Sequence, residues 1–320
     1  MTRAFIFPGQ GSQTIGMGKS LAEAFLPARE IFQEVDDALG QRLSRLMWDG
    51  PEAELTLTEN AQPAIMAASM AIVRVLEREG RLDIAQHARL VAGHSLGEYT
   101  ALCAAGGLTL SDAARLLKTR GRAMQAAVPV GEGAMSALLG AEIELAEEVA
   151  REAVATAPEI EKNPVCVVAN DNAPGQVVIS GTKAAVERAG EIAKSKGAKR
   201  AMALAVSAPF HSSLMQPAAD EMREALAQVT IRPLAAPLVA NVTAAEVNEP
   251  ETIRRLLVEQ VTGRVRWRES VLTLRHLGVG TTVECGGNKV LTGMVKRTDR
   301  DLETISLDTP ADIEAFAKTL

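Results

Sequence analysis

A five-residue segment in the first third of the chain has the pattern of a reactive serine. Gly93-His94-Ser95-Leu96-Gly97 matches G-x-S-x-G and lies between the apolar run Leu90–Gly93 and a helical run that starts near Glu98. Small residues in a strand–turn–helix setting permit a turn so sharp that the serine hydroxyl stands exposed above the sheet. The Leu96 amide would then lie at a helix N-terminus, where it can donate to an oxyanion. The alternative is a tight turn in which Ser95 caps the helix.

A serine nucleophile needs a base, which is usually a histidine, and the sequence contains four histidines. His211, in the segment Ser207-Ala208-Pro209-Phe210-His211-Ser212-Ser213, follows a predicted strand, and α/β proteins carry reactive side chains in such loops. His94 is expected to point away from Ser95, His87 lies in a polar segment, and His276 lies among apolar neighbours. Position alone favours His211 as the base and leaves a structural role for it open.

Two further segments could contribute to a site, and one of them could bind an anion. The loop Gly9-Gln10-Gly11-Ser12-Gln13 could present backbone amides to it, although a simple tight turn is the alternative. Nucleotide motifs match this region poorly, because Gln13 stands where a Walker A loop before Gly18-Lys19-Ser20 needs glycine. Arg120 follows the serine by one helix and is a candidate for a role at the same site. A lone arginine on a helix is usually solvated, and Arg122 could compete for the same role.

Composition limits the class of protein. The chain has 320 residues, 47% of them apolar and 3% aromatic, and a net charge of −6. The negative charge argues against a general nucleic-acid binder. The three cysteines, Cys103, Cys166 and Cys285, are far apart and form no C-x-x-C pair, which is typical of a reduced cytoplasmic protein without a disulfide framework or zinc site. No apolar run approaches the roughly 18 residues of a membrane span. We therefore expect a soluble, cytoplasmic protein with no metal and no membrane contact.

Short apolar runs alternate with amphipathic stretches along the whole chain, which predicts an α/β fold with a parallel sheet. Residues 129–206 have a different predicted order of strands and helices from the rest of the chain. Their predicted order is strand, helix, two strands, helix, strand, which is that of a ferredoxin-like unit. The sequence therefore predicts one α/β domain formed by residues 1–128 and 207–320, with residues 129–206 inserted into it.

These motifs, in this order, resemble the malonyl-CoA:acyl-carrier-protein transacylases of fatty-acid synthesis and the related acyltransferase domains of polyketide synthases. The resemblance spans essentially the whole chain. Its landmarks are Phe7–Gln13, Gly93–Glu98, Thr119-Arg120-Gly121, Asn172–Gln176, Phe210-His211, Gln260–Trp267 and the segment Glu284–Leu291. The resemblance implies a hydrolase-like α/β catalytic domain and a ferredoxin-like insert, in agreement with the pattern of runs.

The resemblance also implies roles for single residues. Ser95 would be the nucleophile and His211 the base, and Gln260 would orient His211 through its backbone carbonyl, so that no third acid is needed. The amides of Gln10 and Leu96 would form the oxyanion hole.

The acyl group would be selected by two further side chains. Arg120 would pair with the malonyl carboxylate. Phe210 would exclude a branched acyl group, because a bulky residue before the base goes with malonyl and a smaller one with methylmalonyl in the related domains.

The expected reaction is transfer of malonyl from malonyl-CoA to the phosphopantetheine thiol of an acyl carrier protein through a Ser95 ester. The coenzyme A thioester is a substrate, no cofactor is implied, and we expect a monomer. The alternatives are a serine hydrolase, which shares the serine motif, and a non-catalytic docking subunit. An arginine facing the acyl pocket favours the transferase.

An acidic carrier protein would need a local basic patch on a chain of negative net charge. We favour one basic cluster because it leads toward His211: Lys194, Lys196, Lys199 and Arg200. The alternative cluster surrounds Gln260: Arg254, Arg255, Arg264, Arg266 and Arg268. Each cluster could also be no more than a solvated face.

Overall fold

The structure is a computed structural model that describes residues 2–206 and 208–320. Its strands are β1 (Arg3–Phe7), β2 (Leu90–Gly93), β3 (Gly133–Leu139), β4 (Cys166–Ala173), β5 (Gln176–Thr182), β6 (Arg200–Ala203), β7 (Leu238–Val239), β8 (Glu246–Val247), β9 (Thr281–Cys285) and β10 (Glu303–Leu307). Its helices are α1 (Lys19–Ala24), α2 (Leu26–Leu39), α3 (Leu43–Asp49), α4 (Glu52–Thr56), α5 (Thr58–Arg78), α6 (Ile84–His87), α7 (Gly97–Ala104), α8 (Leu110–Ala126), α9 (Ile143–Ala155), α10 (Lys183–Ser195), α11 (Gln216–Ala227), α12 (Pro250–Thr262), α13 (Trp267–His276), α14 (Val290–Thr298) and α15 (Pro310–Ala317). The α/β class expected from the sequence is confirmed.

The larger sheet has the strand order β10-β9-β1-β2-β7-β8. All neighbours are parallel except β8, which pairs with β7 in the antiparallel direction. Phe7 pairs with Gly93, so that β1 and β2 end side by side. The carboxyl ends of parallel strands meet at one edge of a sheet, where ligands usually bind. This edge carries both the glycine-rich loop after β1 and the serine turn after β2.

Strand β1 shows why this sheet forms. Ala4, Phe5, Ile6 and Phe7 are all fully buried. Phe5 and Phe7 pack into the core on one face of the sheet, while Ala4 and Ile6 pack against Trp267 and its neighbours on the other face. A continuous apolar run is what a parallel strand covered on both faces requires.

The smaller sheet has the order β4-β5-β3-β6 and is antiparallel throughout. Its chain order, β3-α9-β4-β5-α10-β6, is the one predicted for a ferredoxin-like unit. One face packs on α9 and α10 in a core of its own that includes Leu138 and Ile179. The opposite face contributes Met135 and Val178 to the main core. The domain boundaries at 128/129 and 206/207 stay a prediction, and Ser207 lies outside the described residues.

Several predicted elements end elsewhere. The strand expected over 200–206 ends at Ala203, and the turn expected at 172–175 is shorter because β4 continues to Ala173. The helix expected from 288 begins at Val290, since Asn288 and Lys289 have φ of 54° and 65°, outside the right-handed helical region.

The helix expected from 214 to 228 is also divided. It begins as a 3-10 turn, Ser213–Met215, and becomes α11 at Gln216. Of the helices within residues 2–206 and 208–320, none is long and apolar enough to cross a membrane.

Candidate active site

The turn that carries Ser95 is sterically tight. Ser95 has φ of 51°, in the left-handed region that non-glycine residues rarely adopt. A Cβ added at Gly93 would lie 1.9 Å from the Gly97 carbonyl oxygen, and one added at Gly97 would lie 2.2 Å from the Phe7 carbonyl oxygen. Both flanking glycines are therefore required by close backbone contacts. The turn joins β2 to α7 and places Ser95 at the carboxyl edge of the larger sheet, as the motif predicted.

Asn241 holds this turn from the neighbouring strand. The Ser95 amide donates to Asn241 Oδ1 at 2.7 Å, and Asn241 Nδ2 donates to the Gly93 carbonyl at 2.7 Å. Asn241 follows β7 and is fully buried. The sequence analysis did not identify it as a site residue. Its signal was a polar residue at the carboxyl end of a predicted buried strand, which is the edge where ligands bind.

His211 meets Ser95 through one ring nitrogen and the backbone of α12 through the other. His211 Nε2 lies 2.8 Å from Ser95 Oγ. His211 Nδ1 lies 2.8 Å from the Gln260 carbonyl oxygen and 3.0 Å from that of Gly263. Carbonyls only accept, so Nδ1 carries the proton and Nε2 presents its lone pair to the serine hydroxyl.

The surroundings of His211 keep it neutral. The side chain is only 4% exposed. Burial, and then the positive charge of Arg120, lower the pKa of His211 to about 3. A neutral imidazole at ordinary pH can accept the serine proton, as a general base must.

Arg120 is buried beside the serine rather than solvated. Its Nη2 donates to Ser95 Oγ at 3.0 Å and to Gln260 Oε1 at 2.8 Å, and its Nη1 donates to Gln62 Oε1 at 2.9 Å. Arg120 as a whole is 1% exposed. A Cβ added at the next residue, Gly121, would lie 2.5 Å from the Thr58 carbonyl oxygen, so the glycine lets α8 approach α5 closely.

Arg122 does not compete for the same position. Its side chain is 68% exposed and lies 3.9 Å from Glu59. Of the two candidates that the sequence left open, only Arg120 reaches Ser95.

Gln260 uses its backbone and its side chain for different partners. Its carbonyl faces His211, as stated above, while its Nε2 donates to Glu98 Oε2 at 2.7 Å and to the Ser95 carbonyl at 2.9 Å. Glu98 is 1% exposed, and burial raises its pKa to about 7 against the lowering effect of its hydrogen bonds and of Arg120. The sequence analysis missed Glu98 and Gln62. The signal for Glu98 was a single charged residue in the otherwise uncharged helix α7.

A cavity of about 390 Å³ opens above these side chains. Its walls come from the glycine-rich loop, the serine turn, α5 and α8, the smaller sheet and the His211 loop, and include Gln10, Gln62, His94, Ser95, Leu96, Arg120, Met124, Met135, Asn170, Leu204, Ala205, Val206, Phe210 and His211. Except for Gln260, the predicted catalytic, oxyanion-hole and substrate-binding residues all line this cavity, whereas the four predicted docking cations do not. Gln260 does not line the cavity itself and contacts three residues that do: Ser95, Arg120 and His211.

Gln10 and Leu96 both line the cavity. In the part of the chain that the structure describes, neither backbone N–H donates a hydrogen bond to the protein. Leu96 stands directly before the first residue of α7, where helix amides lack partners within the helix. Both donors are therefore free to bind an oxygen atom of a substrate.

The other histidines have separate partners. His94 Nε2 lies 2.8 Å from Asn172 Oδ1, so the ring points away from Ser95 Oγ, as expected. His87 contacts the backbone of Asp83, and His276 lies in the last turn of α13. Within 2–206 and 208–320, no group of three or more His, Cys, Asp or Glu is arranged to hold a metal ion.

Comparison with known proteins agrees with this arrangement. Residues 4–311 match the family described as acyl transferase domain. The chain belongs to this family. This acyl transferase is 45% identical over 317 residues to the malonyl CoA-acyl carrier protein transacylase of Bacillus subtilis (strain 168), which covers 99% of the chain and 96% of the relative. The resemblance identified from the motifs is thereby confirmed.

Solved structures extend the comparison. The acyl transferase is similar to an acyl-carrier-protein-S-malonyltransferase from Bartonella henselae, with a TM-score of 0.95, 52% identity, and 100% and 99% of the two chains covered. It is also similar to a malonyl-transacylase solved in complex with its type II PKS acyl-carrier protein, with a TM-score of 0.94, 41% identity, and all of both chains covered.

The favoured basic cluster of the acyl transferase is partly neutralised. Lys196 lies between Glu148, at 2.5 Å, and Glu152, and Lys194 pairs with Glu191 at 2.8 Å. Among the described residues, Lys199 and Arg200 form no ion pair. Of these four cations, Lys199 and Arg200 are therefore the two whose charge no described carboxylate neutralises.

The arginine cluster around Gln260 is paired throughout. Each of its members contacts a carboxylate within 4 Å: Arg254 with Glu251, Arg255 with Glu259, Arg264 with Glu147, Arg266 with Glu269, and Arg268 with Glu142 and Asp171. These pairs make the cluster a weaker candidate for binding an acidic partner than Lys199 and Arg200.

Proposed function

We propose that this protein transfers a malonyl group from malonyl-CoA to the phosphopantetheine thiol of an acyl carrier protein, through a malonyl ester on Ser95. One observation carries the proposal: the buried guanidinium of Arg120 lies 3.0 Å from Ser95 Oγ, inside the cavity. A cation beside the nucleophile suits an acyl group that ends in a carboxylate. The relatives at 43 to 45% identity that bear the name malonyl CoA-acyl carrier protein transacylase support the same substrate.

In the first half of the reaction, His211 Nε2 accepts the Ser95 hydroxyl proton while Oγ attacks the thioester carbonyl carbon. The carbonyl oxygen gains the negative charge and is bound by the amides of Gln10 and Leu96. Removal of one oxyanion-hole donor typically costs about 3 to 4 kcal/mol. The C–S bond then breaks, coenzyme A leaves as a thiol with the proton from His211, and Ser95 retains the malonyl ester.

The second half reverses these steps with a different thiol. His211 accepts the proton of the phosphopantetheine thiol, and the sulfur attacks the ester carbonyl. The C–Oγ bond breaks, Ser95 Oγ recovers a proton from His211, and malonyl leaves as the carrier thioester. Gln260 and Gly263 hold the His211 ring in one tautomer throughout, because both of their carbonyls accept from Nδ1.

The acyl carboxylate would bind Arg120, assisted by Gln62. The Gln62 oxygen accepts from Arg120. Among the described residues, its Nε2 contacts only the Met124 sulfur at 3.8 Å, a weak acceptor. Phe210 lines the same cavity and is 7% exposed. A ring in this cavity would leave little room for a branch on the acyl α-carbon.

A serine hydrolase remains the second candidate, because the same serine and histidine would hydrolyse an ester if water were the acceptor. The buried arginine favours the transferase, since an esterase of apolar substrates would need an apolar pocket. A docking subunit without activity would not require the contact between Ser95 and His211. The proposed chemistry uses no cofactor beyond the coenzyme A thioester itself, and we place it in the cytoplasm.

We infer that the carrier protein docks along strand β6. Arg200 and Met202 pair with Leu139 and Ala137, so they share the sheet face of Met135, a cavity residue. Met202 is 47% exposed and Leu204 is 37% exposed, and residues 204–206 continue into the cavity wall. Lys199 and Arg200 supply the positive charge at the start of this stripe. The positive charge would attract an acidic carrier protein. The apolar surface that leads from it to Ser95 would receive the flexible phosphopantetheine arm.

The test is mass spectrometry of the protein mixed with malonyl-CoA alone and then with holo carrier protein. We expect one malonyl group on the peptide that contains Ser95, and its loss to the carrier thiol on the second addition. Ser95→Ala should abolish both. Free malonate released at the same rate without carrier protein would support the hydrolase, and an adduct that persists in Ser95→Ala would move the nucleophile elsewhere.

A further inference from the structure

Glu98 is a buried carboxylate for which the proposed chemistry has no step. It lies one residue into α7, three positions after Ser95, and is 1% exposed. Its Oε2 accepts from Gln260 Nε2 at 2.7 Å and from the Asn241 amide at 3.4 Å. Within residues 2–206 and 208–320 it forms no ion pair, and Arg120 acts on it only as a charge at longer range. A buried acid held by neutral donors is costly and calls for a function.

The contacts of Gln260 depend on which end of its amide faces which neighbour. Glu98 and the Ser95 carbonyl are both acceptors, so the NH₂ end must face them. The oxygen end then faces Arg120, which can only donate. The opposite orientation would set oxygen against oxygen on one side and two donors against each other on the other side.

We propose that Glu98 is a positioning residue, which fixes the amide of Gln260 in this orientation and thereby holds Arg120 in place to receive the acyl carboxylate. The proposal rests on the proposed function for the identity of the acyl group. Glu98 would act on Arg120 and leave the position of the base unchanged, because His211 is held by the backbone carbonyl of Gln260, which rotation of the side chain does not move. Recognition of malonyl and activation of Ser95 should therefore separate when Glu98 is changed.

Protonation of Glu98 should also impair recognition of malonyl without impairing activation of Ser95. The groups that face Glu98 are Gln260 on α12, Asn241 after β7, Arg120 on α8 and Tyr99 on its own helix, and of these Arg120 and Tyr99 carry ionisable groups. Burial raises the pKa of Glu98 to about 7. Once protonated, the acid can donate to an amide oxygen, and the opposite orientation of Gln260 becomes possible. Malonyl transfer should therefore weaken as the pH falls below 7, while His211, with a pKa of about 3, stays neutral.

The experiment compares two reactions of Ser95 in wild type and Glu98→Gln. The first is malonylation by malonyl-CoA, and the second is phosphonylation by a small neutral fluorophosphonate, which needs the serine and the base but no carboxylate site. In Glu98→Gln we expect KM for malonyl-CoA to rise about tenfold, as loss of one charge-assisted contact would give, and phosphonylation to stay within about threefold. The decline of malonylation below pH 7 should disappear in the variant.

Two controls keep the test decisive. Thr100→Val changes a buried side chain of the same helix whose hydroxyl has no partner among the described residues, and it should leave both reactions unchanged. If Glu98→Gln does not fold, Gln260→Met removes the amide directly and should raise KM in the same way. In the double variant the two effects should not add, because both act through one amide.

Equal losses of malonylation and phosphonylation in Glu98→Gln would show a purely structural role and overturn the proposal, as would an unchanged KM with an unchanged pH profile. Failure of wild type to accept malonyl on Ser95 would instead overturn the proposed function. The two failures are therefore distinguishable.

Discussion

Arg120 Nη2 lies 3.0 Å from Ser95 Oγ. The same positive charge contributes to the lowered pKa of His211, second only to burial. One side chain can therefore select an acidic acyl group and also keep the base free of a proton. Loss of this arginine should therefore weaken substrate recognition and also raise the pKa of the base.

Arg120→Ala should harm malonyl-CoA far more than acetyl-CoA, which has no carboxylate to lose. Removal of a charge-assisted bond costs about 1.5 to 3 kcal/mol, so kcat/KM for malonyl-CoA should fall more than tenfold. Steady-state kinetics with both thioesters would measure this. Arg122→Ala, at the exposed neighbour, should leave both substrates unaffected. Similar losses with the two thioesters would mean that Arg120 supports the structure only.

Phe210→Ser should relax the choice between malonyl-CoA and methylmalonyl-CoA without reversing it. One methyl group in a pocket is worth about 1 to 3 kcal/mol of discrimination, and the ring lines the cavity beside His211. Competition between the two thioesters for Ser95, read by mass spectrometry, gives the ratio. If wild type already accepts methylmalonyl-CoA well, Phe210 does not set the selectivity.

Lys199→Glu with Arg200→Glu should raise KM for the carrier protein while Ser95 malonylation by malonyl-CoA stays the same. The rate of the second half-reaction, started from malonylated protein, should recover partly at ~0.5 M salt, where the range of charge interactions is a few Å. Lys196 is less suited to this test, because a glutamate at 196 would face Glu148 and Glu152.

The matched control for docking is Lys318→Glu. Its neighbour Thr319 accepts from Arg3 at the start of β1, so Lys318 lies toward the sheet edge opposite Ser95. It should not change the second half-reaction. An unchanged rate in the Lys199 and Arg200 double variant at low salt would exclude strand β6 as the docking site.

His211 should make stability depend on pH in a predictable direction. Its pKa falls from 6.5 to about 3 on folding, so the folded state prefers the neutral ring. This contribution is complete above pH 6.5 and is lost as the pH falls from 6.5 toward 3, at up to about 1.4 kcal/mol per pH unit. His211→Gln should show a shallower decline in the free energy of unfolding between pH 7 and 4, measured by urea titration. Parallel declines in both proteins would mean that the ring is not desolvated.

Strands β1 and β2 were predictable to the residue because a strand buried on both faces reads as a continuous apolar run. Ser95 was predictable because its turn requires glycines at fixed positions. The sequence analysis assigned no element between residues 14 and 57. There α1, α3 and α4 are too short to show a helical period, whereas α2 is long enough to show one and was missed. The roles of Gln62 and Asn241 could not be read either, because their partners come from distant segments that only the folded chain brings together.

The acyl cavity lies between two separately packed bodies of the chain. Ser95, Arg120 and His211 belong to the part around the larger sheet, whereas Met135, Asn170 and Leu204 come from the smaller sheet. The width of the cavity is thus set by how the smaller sheet rests on the rest of the protein, through residues such as Val178. Substitutions where the smaller sheet packs on the main core should change which acyl groups fit, while every reacting group stays intact. This contact is therefore a natural target for engineering, and a place where acyl preference can change during evolution.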